Sequence, residues 1–290
     1  MPDNPRHAGT PCFALPDHAI VELTGRDAVA FAQAQLMNDV AALGEGQWQW
    51  NGWLTPKGRV IALMAVLRTA MDTVWLVLQD ADPGVFTGQL QRFVFRSKVT
   101  LRVRSDLRVG GAFAAPAAAS GALAAVDDAG TWSLDLGGEG GPRTLVIGAS
   151  IDTVDDAAQA GAWRAADLAH GWPRLDAGQR EQWTPQQLSL DRLRAYSVRK
   201  GCYPGQEIVA RTHFLGQAKR GLVRLEATTP LAPGDAIARA EDGDGTFGEV
   251  VAVAGHAALA VASLRDGPSA PARAADGRWE QRPLLDGLAR

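Results

Sequence analysis

Apolar and polar positions recur along the chain in two rhythms, and the switches between them outline its elements. Ala19 to Leu23 reads as a strand, after which Ala28, Phe31, Ala32 and Leu36 repeat at helical spacing. Thr24, just ahead of them, is of the residue type that caps a helix N-terminus. Gln47 to Leu54 is Trp-rich and extended, Thr55-Pro56-Lys57-Gly58 is a turn, and Arg59 to Arg68 returns as a strand. The unbroken apolar run in that returning strand predicts burial on both faces. Val74 to Gln79 adds a third strand, Pro83 to Arg96 a helix with Phe86, Leu90, Phe93 and Val94 on one side, and Val99 to Arg104 a further strand. Helices layered on a largely antiparallel sheet make an α+β unit.

A second unit starts near Val109. Its Ala/Gly-rich stretch, Gly110 to Ala125, predicts a strand and a short helix. Thr131 to Leu136 and Arg143 to Ile147 read as strands on either side of a glycine loop, 137–141. Asp152 to Ala169 reads as a helix that stops before Gly171-Trp172-Pro173, with Asp155-Asp156 favoured at its start by the helix dipole. Lys219 to Leu264 breaks into short strands at Pro233-Gly234-Asp235 and at 241–245, the punctuation of a small β-barrel. Pro268 to Arg290 carries no usable pattern. The chain thus divides into a first α+β subdomain (1–107), a second α+β subdomain (108–217) and a C-terminal β-barrel (218–290).

Composition narrows the classes. At 290 residues, 46% hydrophobic and 21% charged, the chain has the make-up of a soluble globular protein. A net charge of −3 gives no strong nucleic-acid signal, because no broad basic excess is available for phosphates. A local basic cluster remains around Arg199, Lys200, Arg211, Lys219 and Arg220. Cys12 and Cys202 offer neither a disulfide framework nor metal-ligand spacing, so no metal site is predicted. The longest apolar run, Val60 to Leu67, is strand-length, and the first residues lack a signal-peptide pattern. A cytoplasmic protein without a membrane partner is the expectation.

The chemistry concentrates in residues 199–211, Arg-Lys-Gly-Cys-Tyr-Pro-Gly-Gln-Glu-Ile-Val-Ala-Arg. Gly201 and the Tyr203-Pro204-Gly205 turn place Cys202 in a loop, and Lys200, Arg199 and Arg211 put cations near its thiol. Neighbouring cations favour the reactive thiolate, although a lone cysteine is more often a small buried hydrophobe. Gln206 and Glu207 have the residue types to organise the loop, and Glu207 stands four residues before Arg211, a spacing suited to an ion pair on a helix.

The run Lys-Gly-Cys-Tyr-x-Gly-Gln-Glu, Lys200 to Glu207, resembles the signature of the YgfZ family, folate-binding proteins related to the T-protein (aminomethyltransferase) of glycine cleavage. Ile-Val-Ala-Arg at 208–211 continues it. Upstream fragments agree in order: Thr24 to Ala28 leading into Phe31, Gln35 and Asn38-Asp39; Thr55 to Arg59; and Phe95 to Val99. The resemblance implies a T-protein-like folate-binding body of two subdomains with a C-terminal β-barrel. It implies a role supporting iron–sulfur enzymes or their assembly proteins, and through them tRNA methylthiolation. Tetrahydrofolate or a derivative would be the cofactor, with a transient iron–sulfur cluster shared with a partner.

Carried over residue by residue, Cys202 and Lys200 are the candidate catalytic pair. Trp163 matches a folate-site tryptophan, since Gly171-x-Pro173 follows at the family spacing. A second such tryptophan falls at His18 here, and Arg96 and Lys98 are cations suited to a glutamyl tail. Ala169 stands where relatives have a pterin-gripping Glu, leaving Asp167 and His170 as the nearby polar candidates. The essential carboxylate pair of the T-protein corresponds to Ala62 and Leu63, which disfavours aminomethyl transfer. A one-carbon transferase and a non-catalytic scaffold stand as the alternatives.

Overall fold

The structure, a computed structural model, describes residues 12–216, 218–240, 246–264, 272–274 and 276–290. The predicted loop at 241–245 lies outside them, as do the first eleven residues and part of the patternless stretch after Pro268.

Three sheets build the protein. The first is antiparallel, in the order Trp48–Leu54, Val60–Ala70, Thr73–Gln79, His18–Thr24, Thr100–Val103. Period-two alternation sorts its side chains to two cores. Leu23, Met64, Val66, Leu76 and Leu78 face a core shared with helices Ala28–Gln35 and Pro83–Gln91. Ile20, Leu63, Ala65, Trp75 and Val77 face a second core on the other side. Both faces are therefore covered, as the apolar run at 60–67 predicted.

That second core is completed by a six-stranded sheet in the order Thr153–Val154, Cys12–Ala14, Arg108–Ala112, Thr144–Gly148, Trp132–Asp135, Ala125–Val126. It is antiparallel except where Cys12–Ala14 runs parallel to Thr153–Val154. Helix Ala157–Ala169 packs between its Cys12–Ala14 strand and the third sheet. The third sheet is a curled antiparallel half-barrel, ordered Ala236–Ile237, Gly248–Ala254, Ala257–Ser263, Arg220–Ala227, Trp279–Arg282. Its two edge strands are not paired to each other, so the expected barrel is half closed.

Several boundaries differ from the sequence reading for identifiable reasons. Thr24 caps no helix: it ends a strand, paired with Thr73 and Thr100, and Gly25 (φ 119°) turns the chain so that the helix begins after Asp27. Asp27 does not cap through its side chain either, because its carboxylate accepts the Lys98 N–H at 2.7 Å. The second helix stops at Gln91, and Phe95 is left exposed in the following turn. No helix forms between Gly110 and Ala125. The helix predicted from Asp152 starts at Ala157, capped by Asp156, whose carboxylate accepts the Gln159 N–H at 3.0 Å. Residues 284–290, unread in the sequence, tie back to the body: Leu285 N–H donates to Ala169 O at 2.9 Å and Trp50 Nε1 to Leu288 O at 2.9 Å.

Candidate functional site

Lys200 is buried, at 6% exposure. Its ammonium donates to the carbonyls of Gln33, Leu36 (2.5 Å) and Asn38 (3.2 Å), and lies 4.9 Å from the centre of the Tyr203 ring. Those carbonyls close helix Ala28–Gln35, where four C=O groups lack intrahelical partners. A cation there also meets the negative end of the helix dipole. Burial pulls the lysine down to about 8, partly opposed by Asp39. Lys200 therefore fastens the loop to the C-terminal end of helix Ala28–Gln35, and its charge is committed to backbone oxygens.

The remainder of the loop is fixed as firmly. Ser197 Oγ accepts the N–H groups of Arg199 and Lys200, both at 3.2 Å, and its carbonyl accepts the Tyr203 hydroxyl at 3.2 Å. Burial raises that phenol to about 12, so it stays a donor. Gln206 Nε2 reaches Lys200 O at 3.4 Å. Gly205 (φ 79°) starts helix Gln206–Leu215 and rests on the turn Thr55 to Arg59; a Cβ there would lie 2.6 Å from Thr55 O. Two motifs far apart in sequence thus form one structural unit. On it, Gly201 and Cys202 are exposed. Glu207 and Arg211 are exposed too and form no ion pair with each other, so the helical spacing is not used.

The residues expected around folate separate into two places. Trp163 is fully buried, with Arg143 4.8 Å above its ring and Phe13 and Phe113 each 5.9 Å away. His18 is buried between Asp17 (Nδ1, 2.7 Å) and Gln79 (Nε2, 3.1 Å). Arg96 and Lys98 instead lie exposed, Arg96 over the Phe95 ring and Lys98 with its N–H on Asp27, at the N-terminal end of the helix whose C-terminal end Lys200 holds.

Neither polar candidate near Ala169 is free to replace the missing Glu. Asp167 is locked between Arg143 (2.8 Å) and Arg174 (3.0 Å). His170 is held by Ala166 O at 2.8 Å, and burial lowers its affinity for the proton. Arg174, missed in the sequence, joins Asp17, Asp80 and Asp167 from three separate segments. No periodicity marks such a residue; the only hint was an arginine inside an otherwise apolar stretch. Burial works against the charge on Asp17, yet His18 and Arg174 hold its carboxyl well below the usual range. A groove of about 1090 Å³ opens on the outer face of the second sheet, lined by Cys12, Ala112, Thr144 and Val146 among others, and none of Cys202, Lys200, Trp163, His18, Arg96 and Lys98 borders it. Among the described residues no cluster of His, Cys, Asp or Glu suits a metal ion, and no helix is long and apolar enough to cross a membrane.

No protein-family model matches the chain. Its fold is that of the glycine-cleavage aminomethyltransferases. It aligns with the crystal structure of aminomethyltransferase T from Bartonella henselae at a TM-score of 0.73 and 14% identity, covering 97% of this chain and 87% of that one. In sequence it is 31% identical over 240 residues to the tRNA-modifying protein YgfZ of Klebsiella pneumoniae (strain 342), spanning 76% of this chain and 73% of the relative. The YgfZ of Cronobacter sakazakii (strain ATCC BAA-894) is 30% identical over 229 residues, spanning 72% and 69%. The chain belongs to the YgfZ family of tRNA-modifying proteins.

Proposed function

We propose that this protein supports tRNA modification by sustaining iron–sulfur enzymes or their assembly proteins, in a way that depends on reduced folate. The observation that carries the reading is an exposed thiol, Cys202, on a loop locked to the body on both sides. One cysteine cannot hold a cluster alone, so the thiolate serves as a single ligand completed by a partner, or as a nucleophile toward the partner. Lys200 acts by positioning that loop.

The support for a folate site at the expected tryptophan is a set of unpaired buried donors. Trp163 Nε1 and Arg143 Nε and Nη2 find no acceptor within the protein, and unpaired buried donors are costly. A pterin, rich in acceptors, would satisfy them, with Asp167 keeping the guanidinium oriented. When bound, the folate supplies its one-carbon chemistry. Aminomethyl transfer itself finds no support, because Ala62 and Leu63 are buried apolar residues where a carboxylate is needed.

The test is a deletion strain carrying Cys202→Ser, with methylthiolated tRNA measured beside the melting temperature of the purified variant. Loss of modification with an unchanged melt supports the thiol. Full modification would transfer the role to a non-catalytic scaffold.

A further inference from the structure

We infer that the exposed rim of the signature loop and the helix following it form a docking surface for single-stranded RNA of the kind found in a tRNA loop, an inference that rests on the tRNA-modification reading above. Lys57, Arg199, Arg211, Lys219 and Arg220 are all exposed, and none is engaged in an ion pair or a side-chain hydrogen bond. Between Arg199 and Arg220 the sequence has one carboxylate, Glu207. Lys200, which the sequence counted among these cations, is withdrawn into the body, and Lys57 from the packed turn takes its place.

The helix Gln206–Leu215 is anchored through Val209, fully buried, whose carbonyl accepts from Gln186 at 2.8 Å. Its other side carries Glu207, Ile208, Arg211 and Phe214 outward at helical spacing. Phe214 is 66% exposed, with the His213 ring edge-on at 4.9 Å. An aromatic ring held in solvent one helical turn from the unpaired Arg211 has the composition of a base-stacking platform beside a phosphate contact.

A protein dock would instead centre on a contiguous apolar patch. Here Ile208, 36% exposed, is, among the described residues, the only other large apolar side chain exposed on this helix. With a net charge of −3 on the whole chain, a polyanion is drawn only to a local excess of cations, which this segment carries.

The test uses an unmodified tRNA transcript and its isolated anticodon stem-loop, titrated against the folate-free protein by fluorescence anisotropy. Leaving folate out keeps the result independent of folate binding and of the modification assay. Five phosphate contacts to a single strand give a slope of log K against log salt of roughly −3.5. Arg211→Ala and Lys57→Ala each reduce that slope by about 0.7, and Phe214→Ala weakens binding about tenfold with the slope unchanged. All three side chains are exposed, so the melts stay at the wild-type value. No binding at low salt, or a slope indifferent to both cation variants, overturns the inference. So does a photo-reactive side chain at position 214 that cross-links in cells to protein and never to RNA.

Discussion

A Cβ on Gly205 would lie 2.7 Å from the Cα of Gly58, and both glycines have left-handed backbones, φ 79° and 69°. This contact joins the Thr-Pro-Lys-Gly-Arg turn to the signature loop. Gly205→Ala therefore meets both a disfavoured φ and a collision with rigid backbone, and should cost about 3 kcal/mol or more. Gly58→Ala meets the same two obstacles, a left-handed φ and a contact of 2.9 Å with Ile208 Cβ, an atom fixed to the helix backbone, and should cost a comparable amount. Denaturant melts of each single variant and the double variant check this. Because the two share one contact, the double should cost less than the sum.

Lys200→Met should lower stability by roughly 2–4 kcal/mol, since three buried carbonyls lose a charged donor. It should also change the pH profile. The lysine titrates near 8 in the folded protein and at an ordinary 10.5 when unfolded. The folded state thus binds fewer protons in that window, and wild-type stability gains, on the order of 3 kcal/mol at most, as pH rises from about 8 to 10.5. Lys200→Met loses that gain. A wild-type curve as flat as the variant's would refute the buried-lysine account.

Arg174→Met should destabilise by about 3 kcal/mol, because it removes the guanidinium shared by Asp17, Asp80 and Asp167 and leaves the buried Asp167 with Arg143 alone and Asp80 with Arg164 alone. The acid limb changes as well. Asp17 is held below its ordinary 3.8, so its contribution is complete above that pH and is lost as pH falls below it. In the Arg174 variant that loss is smaller, which acid titration followed by circular dichroism would reveal.

Cys202 should alkylate faster than Cys12 at neutral pH. Cys202 is exposed, whereas Cys12 lies half-buried in a strand and burial raises its thiol. Mass spectrometry after brief iodoacetamide treatment should find adducts first at 202. Equal labelling would remove the premise of an available thiol.

Much of this was legible in sequence wherever side chains set the structure. The run at 60–67 announced a strand covered on both faces, and the Cys202 loop announced itself by its letters. Thr24 misled because threonine suits both a strand end and a cap, and the deciding feature was the conformation of Gly25. Lys200 misled differently: its partners are main-chain carbonyls of Gln33, Leu36 and Asn38, which no residue identity encodes. Residues 284–290 were silent because backbone hydrogen bonds and Arg290, which donates to Asp135 O at 2.8 Å, hold them in place of a periodic apolar face. Arg174 and its three carboxylates stayed hidden because their pairing depends on the tertiary arrangement of separate segments.

Fixing the loop on both sides of Cys202 also bears on how tightly a partner can be held. An unanchored loop would surrender conformational entropy on association, at a cost of about 1–2 kcal/mol of backbone freedom per residue. Here folding has already met that cost at Lys200 and at Gly205, so more of the free energy of any contact made at the thiol is kept as affinity.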